Sequence, residues 1–220
     1  MPRQSIEDFA LKVVFFDLDG VVLDTEPQYT EFWRGICREY FPGRPGLPEE
    51  IKGQTLNQIC NTYFPDDGTA PCSQAEIRYR LGEFEDGMDF PYVPGVEDFI
   101  AIMRGLGLKT AVVTSSDKAK MERVHYCNPE LAGMFDHIFT AEDFAESKPS
   151  PDCYLRAMAY YGIKPTQCSG YEDSINGLKA MKASGMFTTG VASSLPEDAI
   201  RPFCDKVIED FTRVEWRTFD

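Results

Sequence analysis

The feature that most constrains this chain is a run of bulky apolar residues that ends abruptly in acid. Residues 11–20 read Leu-Lys-Val-Val-Phe-Phe-Asp-Leu-Asp-Gly. A short, continuous apolar run of this kind predicts a strand buried on both faces. Such a strand should not finish in two unpaired carboxylates, because taking charge out of water is costly. Asp17 and Asp19 are two residues apart, so in an extended chain both point to one side. Two carboxylates at one spot repel each other, and they are tolerated when a cation lies between them or when one keeps its proton. A solvated Asp-x-Asp-Gly turn at a strand end accounts for the same residues equally well.

Further apolar runs at 110–113, 137–140 and 187–191 predict three more buried strands. From about Tyr92 onward strand and helix patterns alternate, which predicts a parallel sheet with helices on both faces. Residues 26–89 differ. Tyr29, Phe32, Trp33, Ile36, Cys37 and Tyr40 recur at helical spacing, as do Leu56, Ile59, Cys60, Tyr63 and Phe64, and then Ile77, Leu81, Phe84 and Met88. Pro42, Gly43, Pro45, Gly46 and Pro48 interrupt the first of these stripes. The expectation is an α/β core formed by 1–25 and 90–220, with an all-helical insert at 26–89. The insert follows the carboxyl end of the first strand, where α/β folds bind ligands.

Three other segments place polar chemistry between a strand and a helix. Residues 111–117 read Ala-Val-Val-Thr-Ser-Ser-Asp, so the second strand closes on small hydroxyls. Hydroxyls and free amides at a helix start can seat a phosphate, although N-capping by Ser116 or Asp117 explains them as simply. Lys148 precedes a turn stiffened by Pro149 and Pro151, and an ordinary solvated lysine is the bland alternative. Glu172-Asp173-Ser174 again sets adjacent acids before a helix. Oxygen-only ligands suit Mg²⁺, and helix capping by Asp173 or Ser174 is compatible with the same residues.

Composition excludes several classes. The net charge of −14 disfavours a nucleic-acid partner, and it requires a local cation to hold any phosphate. No apolar run reaches the roughly 20 residues needed to span a bilayer, and the N-terminus lacks a secretory pattern. Seven cysteines at irregular spacing, without Cys-x-x-Cys, predict reduced thiols and a cytoplasmic location.

Taken in order, Asp-x-Asp-Gly, a hydroxyl-ended strand, Lys-Pro and Glu-Asp-Ser resemble the four-motif pattern of the haloacid dehalogenase-like superfamily. Within it, Phe16-Asp17-x-Asp19-Gly20-Val21-x-x-Asp24-Thr25-Glu26 and Asp173-Ser174-x-x-Gly177-x-x-Ala180 are similar to the β-phosphoglucomutase-like phosphatase branch, whose members carry a helical cap. The resemblance implies a doubly wound, Rossmann-like parallel sheet with an inserted all-helical cap domain. It implies a Mg²⁺-dependent phosphatase that hydrolyses small phosphate monoesters, sugar phosphates or similar, through an aspartyl-phosphate. Asp17 would be the nucleophile. Asp19 would be the proton donor and acceptor, with its carbonyl on the metal. Thr114, the Ser115 amide and Lys148 would hold the phosphoryl oxygens, Asp173 would ligate Mg²⁺, and Glu172 would support it directly or through water. Residues 52–56, Lys-Gly-Gln-Thr-Leu, are similar to the Gly-x-Ser-Arg cap loop of sugar phosphomutases, with Leu56 where their arginine lies. A phosphatase is therefore expected ahead of a β-phosphoglucomutase-type mutase, and a non-catalytic phosphometabolite-binding protein is the third reading. Gln54, Thr55 and Asn57 are expected to set substrate choice. The expected partner is a small phosphorylated metabolite, bound by a monomer.

Overall fold

The first apolar run forms strand β1, Val13–Phe16, and all four residues are buried. Five more strands join it: β2 (Lys109–Val113), β3 (His137–Phe139), β4 (Cys168–Glu172), β5 (Phe187–Val191) and β6 (Lys206–Ile208). They make one sheet in the order β3-β2-β1-β4-β5-β6, and every pairing is parallel. The chain winds outward from β1 to β3 and then returns to the other side of β1 at β4. The sheet is thus doubly wound, and its switch point lies between β1 and β4, where such sheets open a crevice at their carboxyl ends. In this computed structural model residues 10–214 are described.

Alternation along β1 decides what covers the sheet. Phe15 packs in a buried cluster with Tyr154, Ala157, Met158, Ala180 and Met181. Phe16 faces the other way, stacked on Tyr171 at 5.3 Å between ring centres and edge-on to Phe99 and Phe135. Both faces of the strand are therefore dry, which is why its sequence is continuously apolar rather than alternating.

The chain divides into two compact units, one running to Asp24 and resuming at Phe90, the other Thr25–Asp89. The second unit contains α1 (Glu26–Tyr40), α2 (Leu47–Ile51), α3 (Leu56–Tyr63) and α4 (Gln74–Asp86). It has its own core of Trp33, Ile36, Leu47, Ile51, Ile59, Phe64 and Ile77, among others. The proline- and glycine-rich stretch after α1 is not all loop: α2 forms within it, because Pro48 sits in the first turn, where no amide hydrogen is needed. The first unit adds α5 (Val96–Gly105), α6 (Lys118–Cys127), α7 (Leu131–Met134), α8 (Asp152–Tyr161), α9 (Ile175–Ala183) and α10 (Glu197–Ile200). Where the chain leaves and re-enters this unit its two segments pair. Val93 N donates to Val22 O at 3.0 Å and Asp24 N to Pro91 O at 2.7 Å, and Leu23 bridges Tyr92 in antiparallel fashion.

All seven cysteines are free. No helix among the described residues is long and apolar enough to cross a membrane.

Candidate active site

Asp17 is the first residue beyond β1, and it is buried. Its Oδ1 accepts a 2.6 Å hydrogen bond from Lys148 Nζ, which also donates to Glu172 Oε1 at 2.6 Å and to Val113 O at 3.1 Å. These acceptors use the full donor capacity of an ammonium group. They come from the carboxyl ends of three adjacent strands, β1, β2 and β4. Lys148 reaches them from the loop before α8, which Asp152 ties down by accepting from the Ala145 and Glu146 amides at 2.7 and 3.3 Å. The lysine that is unremarkable in sequence is a buried cation at the switch point of the sheet.

Glu172 closes β4 with 0% exposure. Its Oε1 accepts from Lys148 and from Tyr154 OH at 3.3 Å, and its Oε2 from Asp173 N, Ser174 N and Ser174 Oγ, each at 3.1 Å. Ser174 also caps α9, accepting from Gly177 N at 3.0 Å. Position 177 has no room for a side chain: a Cβ there would lie well inside van der Waals contact of the Glu172 carboxylate. Asp173 is buried beside Gly20 and takes a short hydrogen bond from Ser194 Oγ. Gly20 has φ +78°, and a Cβ on it would meet both Asp173 and Ser194.

Asp19 does not share the cation of Asp17. Its Oδ2 accepts from Lys120 Nζ at 2.6 Å and from Ser116 Oγ at 3.0 Å. Each acid of the Asp-x-Asp motif thus meets its own lysine, one from a loop and one from α6. Asp117, not Ser116, caps α6, by accepting from Lys120 N at 2.9 Å. Thr114 is buried at the end of β2, and its Oγ1 accepts from Ser116 N at 3.0 Å. Ser115, between them, is exposed.

One ammonium stands against three buried carboxylates here, since ligand oxygens of Asp17, Glu172 and Asp173 all lie within 4.8 Å of one another. Burial, followed by repulsion from Glu172 and Asp19, outweighs the attraction of Lys148 and raises the Asp17 carboxyl from 3.8 to about 7. Burial opposes the charge on Lys148, but Asp17 and Glu172 more than offset it and hold the ammonium well above its ordinary value. A group of carboxylates in excess of its cation, offering only oxygen ligands, fits a hard divalent ion such as Mg²⁺. Both Glu172 oxygens already have protein donors, so Asp17 and Asp173 are the carboxylates best disposed to reach such an ion. Burial pushes the neighbouring Cys153 thiol up to about 11, which disfavours the thiolate there.

The residues expected to choose substrate lie in the second unit. Gln54 Nε2 donates to Glu50 O at 2.7 Å. Thr55 caps α3, exchanging hydrogen bonds with Gln58. Asn57 Oδ1 accepts from Arg78 Nη2 at 2.7 Å. Lys120, Tyr154 and Ser194 were not singled out by the sequence. A lysine six residues past Thr114 and an aromatic on the buried face of α8 read as a solvated and a core position.

The haloacid dehalogenase-like hydrolase family matches residues 11–185, and the chain belongs to that family. It is 25% identical to the β-phosphoglucomutase of Bacillus subtilis, over 95% of this chain and 97% of that protein. It is 27% identical to hexitol phosphatase B of Escherichia coli, over 84% of this chain and 82% of the other. The crystal structure of a family IA, variant 3 hydrolase from Entamoeba histolytica superposes with a TM-score of 0.79, covering 95% of this chain and 97% of that one at 17% identity, which shows the shared fold. The chain is therefore an enzyme of the β-phosphoglucomutase-like branch.

Proposed function

We propose that this enzyme is a Mg²⁺-dependent phosphatase that hydrolyses small phosphate monoesters, sugar phosphates or similar, through an aspartyl-phosphate on Asp17. The observation that carries the reading is the buried Asp17 carboxylate gripped by Lys148 at 2.6 Å at the carboxyl edge of the sheet. Lys148 fixes one oxygen of Asp17 and presents a positive charge where phosphoryl oxygens would gather. Asp17 attacks phosphorus, and the phosphorus–oxygen bond of the ester breaks. Asp19 gives its proton to the departing oxygen, and then takes one from the water that releases phosphate. Thr114 and the Ser115 amide hold the transferring group beside Lys148. Asp17, the Asp19 carbonyl and Asp173 would hold one Mg²⁺, which when bound neutralises charge on the phosphoryl oxygens. Glu172 supports this arrangement by holding Lys148.

Phosphate release from para-nitrophenyl phosphate and from hexose and hexitol phosphates tests the reading. Turnover is expected with Mg²⁺, to be lost in excess EDTA, and to return when Mg²⁺ is restored. Full turnover in EDTA, on protein stripped of metal, sinks the metal assignment. The similarity to a β-phosphoglucomutase along nearly the whole chain keeps a second reading open. Conversion of β-glucose 1-phosphate to glucose 6-phosphate, in place of inorganic phosphate, would establish that one.

The reading includes a selective role for residues 26–89 through Gln54, Thr55 and Asn57. Gln54→Ala and Asn57→Ala are each expected to re-rank a panel of sugar phosphates. Asn57→Ala should do so more strongly, since it also releases Arg78. Acetyl phosphate, with almost no leaving group to recognise, should change by less than about threefold. An unaltered ranking in both variants removes the loop from substrate selection.

A further inference from the structure

We propose that Lys120 is a positioning residue for the Asp19 carboxylate, a role that rests on the phosphatase reading above. Lys120 lies in the first turn of α6, where the helix dipole disfavours a cation. It is nevertheless 7% exposed. An ammonium is buried at such a place only with a partner that repays the lost hydration, and here that partner is Asp19 Oδ2 at 2.6 Å. The backbone of Lys120 is fixed as well, because its amide donates to the capping Asp117. Ser116 Oγ reaches the same oxygen of Asp19 from the turn before the helix.

Two donors on one carboxylate oxygen set the rotation of the whole group. They fix the direction in which the group exchanges its proton. In the first step the Asp19 carboxyl gives its proton to the ester oxygen as that oxygen takes the electron pair of the breaking bond to phosphorus. In the second step the carboxylate takes a proton from water as the water oxygen bonds to phosphorus and Asp17 is released. A carboxyl group that rotates freely transfers protons less well, because general acid catalysis needs the proton held in line with the leaving oxygen. Lys120 thus acts on the reaction through Asp19 and need not touch substrate.

The measurement is the dependence of kcat/KM on leaving-group acidity across substituted phenyl phosphates, with Mg²⁺ and the full chain. Poor leaving groups need the acid and good ones do not, so lost acid catalysis steepens the dependence. A loss of folded protein lowers every rate equally and leaves the slope unchanged. In Lys120→Met, phenyl phosphate should fall roughly tenfold further than para-nitrophenyl phosphate, a fraction of the 10²–10⁴ that general acids supply. Lys120→Arg keeps a donor and should restore most of the wild-type slope. Ser116→Ala should steepen it in the same sense by about threefold, and it serves should Lys120→Met not fold. Equal losses across the series in the Lys120→Met and Ser116→Ala variants overturn the proposal. Failure of the wild-type protein to hydrolyse any member of the series rejects the phosphatase reading instead.

Discussion

Asp17→Asn is expected to lower turnover by ~10⁴-fold or more, the scale on which an enzyme loses activity with its nucleophile. The amide keeps the shape of the side chain and its oxygen can still accept from Lys148, but it is too weak a nucleophile to form an acyl phosphate. The same change should leave the unfolding temperature unaltered or raised at pH 8. Asp17 titrates at about 7 in the fold against an ordinary 3.8. A carboxyl raised in this way contributes stability below 3.8 and loses that contribution as pH rises through about 7. At pH 8 the wild-type protein therefore carries a buried charge that opposes folding, and the amide removes it. Measured by phosphate release and by thermal unfolding in the absence of metal, activity and stability should part company. Wild-type rates in Asp17→Asn would remove Asp17 from the chemistry altogether.

Gly177→Ala should also be damaging, against the usual preference of helices. Inside a helix alanine is favoured over glycine by about 1 kcal/mol, and Gly177 lies within α9. Here the added methyl falls on the carboxylate of Glu172. That carboxylate cannot swing aside without giving up Lys148, Tyr154, Ser174 and the Asp173 amide. Overpacking of this kind typically costs about 1–3 kcal/mol, and displacing Lys148 from Asp17 should lower kcat by ~10²-fold or more. Denaturant unfolding and turnover of the purified variant measure both effects. A variant more stable than wild type, with its activity intact, would mean that Glu172 moves freely and does not hold Lys148.

The parts of the site that could be read from the sequence are those carried by contiguous motifs. Asp17 and Asp19 stand out because acids end an apolar run, and Glu172 and Asp173 because acids precede a helix. Lys148 is legible only in the company of these motifs. Lys120 and Tyr154 could not be read, since each reaches the site from a helix face that carries no local signal. Among the strands, β1, β2 and β5 follow from their apolar runs. At β3 the strand stops at Phe139, because Thr140 turns away to donate to the carboxylates of Glu142 and Asp143 at a short helical turn. By contrast, β4 reads Cys-Ser-Gly-Tyr-Glu and shows no apolar run, although it is buried throughout. Its place between β1 and β5 makes it a strand through pairing on both edges, which outweighs the weak strand preference of serine and glycine. Similarly, β6 is three residues long, and its pairing with β5 is the only thing that distinguishes it from loop.

The pairing of Val22 with Val93 and of Asp24 with Pro91 bears on how enzymes of this architecture diversify. Because the chain leaves the sheet and returns at hydrogen-bonded neighbours, the excursion between them closes on itself like a loop tied at its base. The free energy of closing a loop grows only with the logarithm of its length. Segments of very different size and composition can therefore be exchanged at this one junction without altering the register of β1 against β2 and β4. Variation in the excursion and constancy of the sheet can accumulate in separate stretches of the same gene.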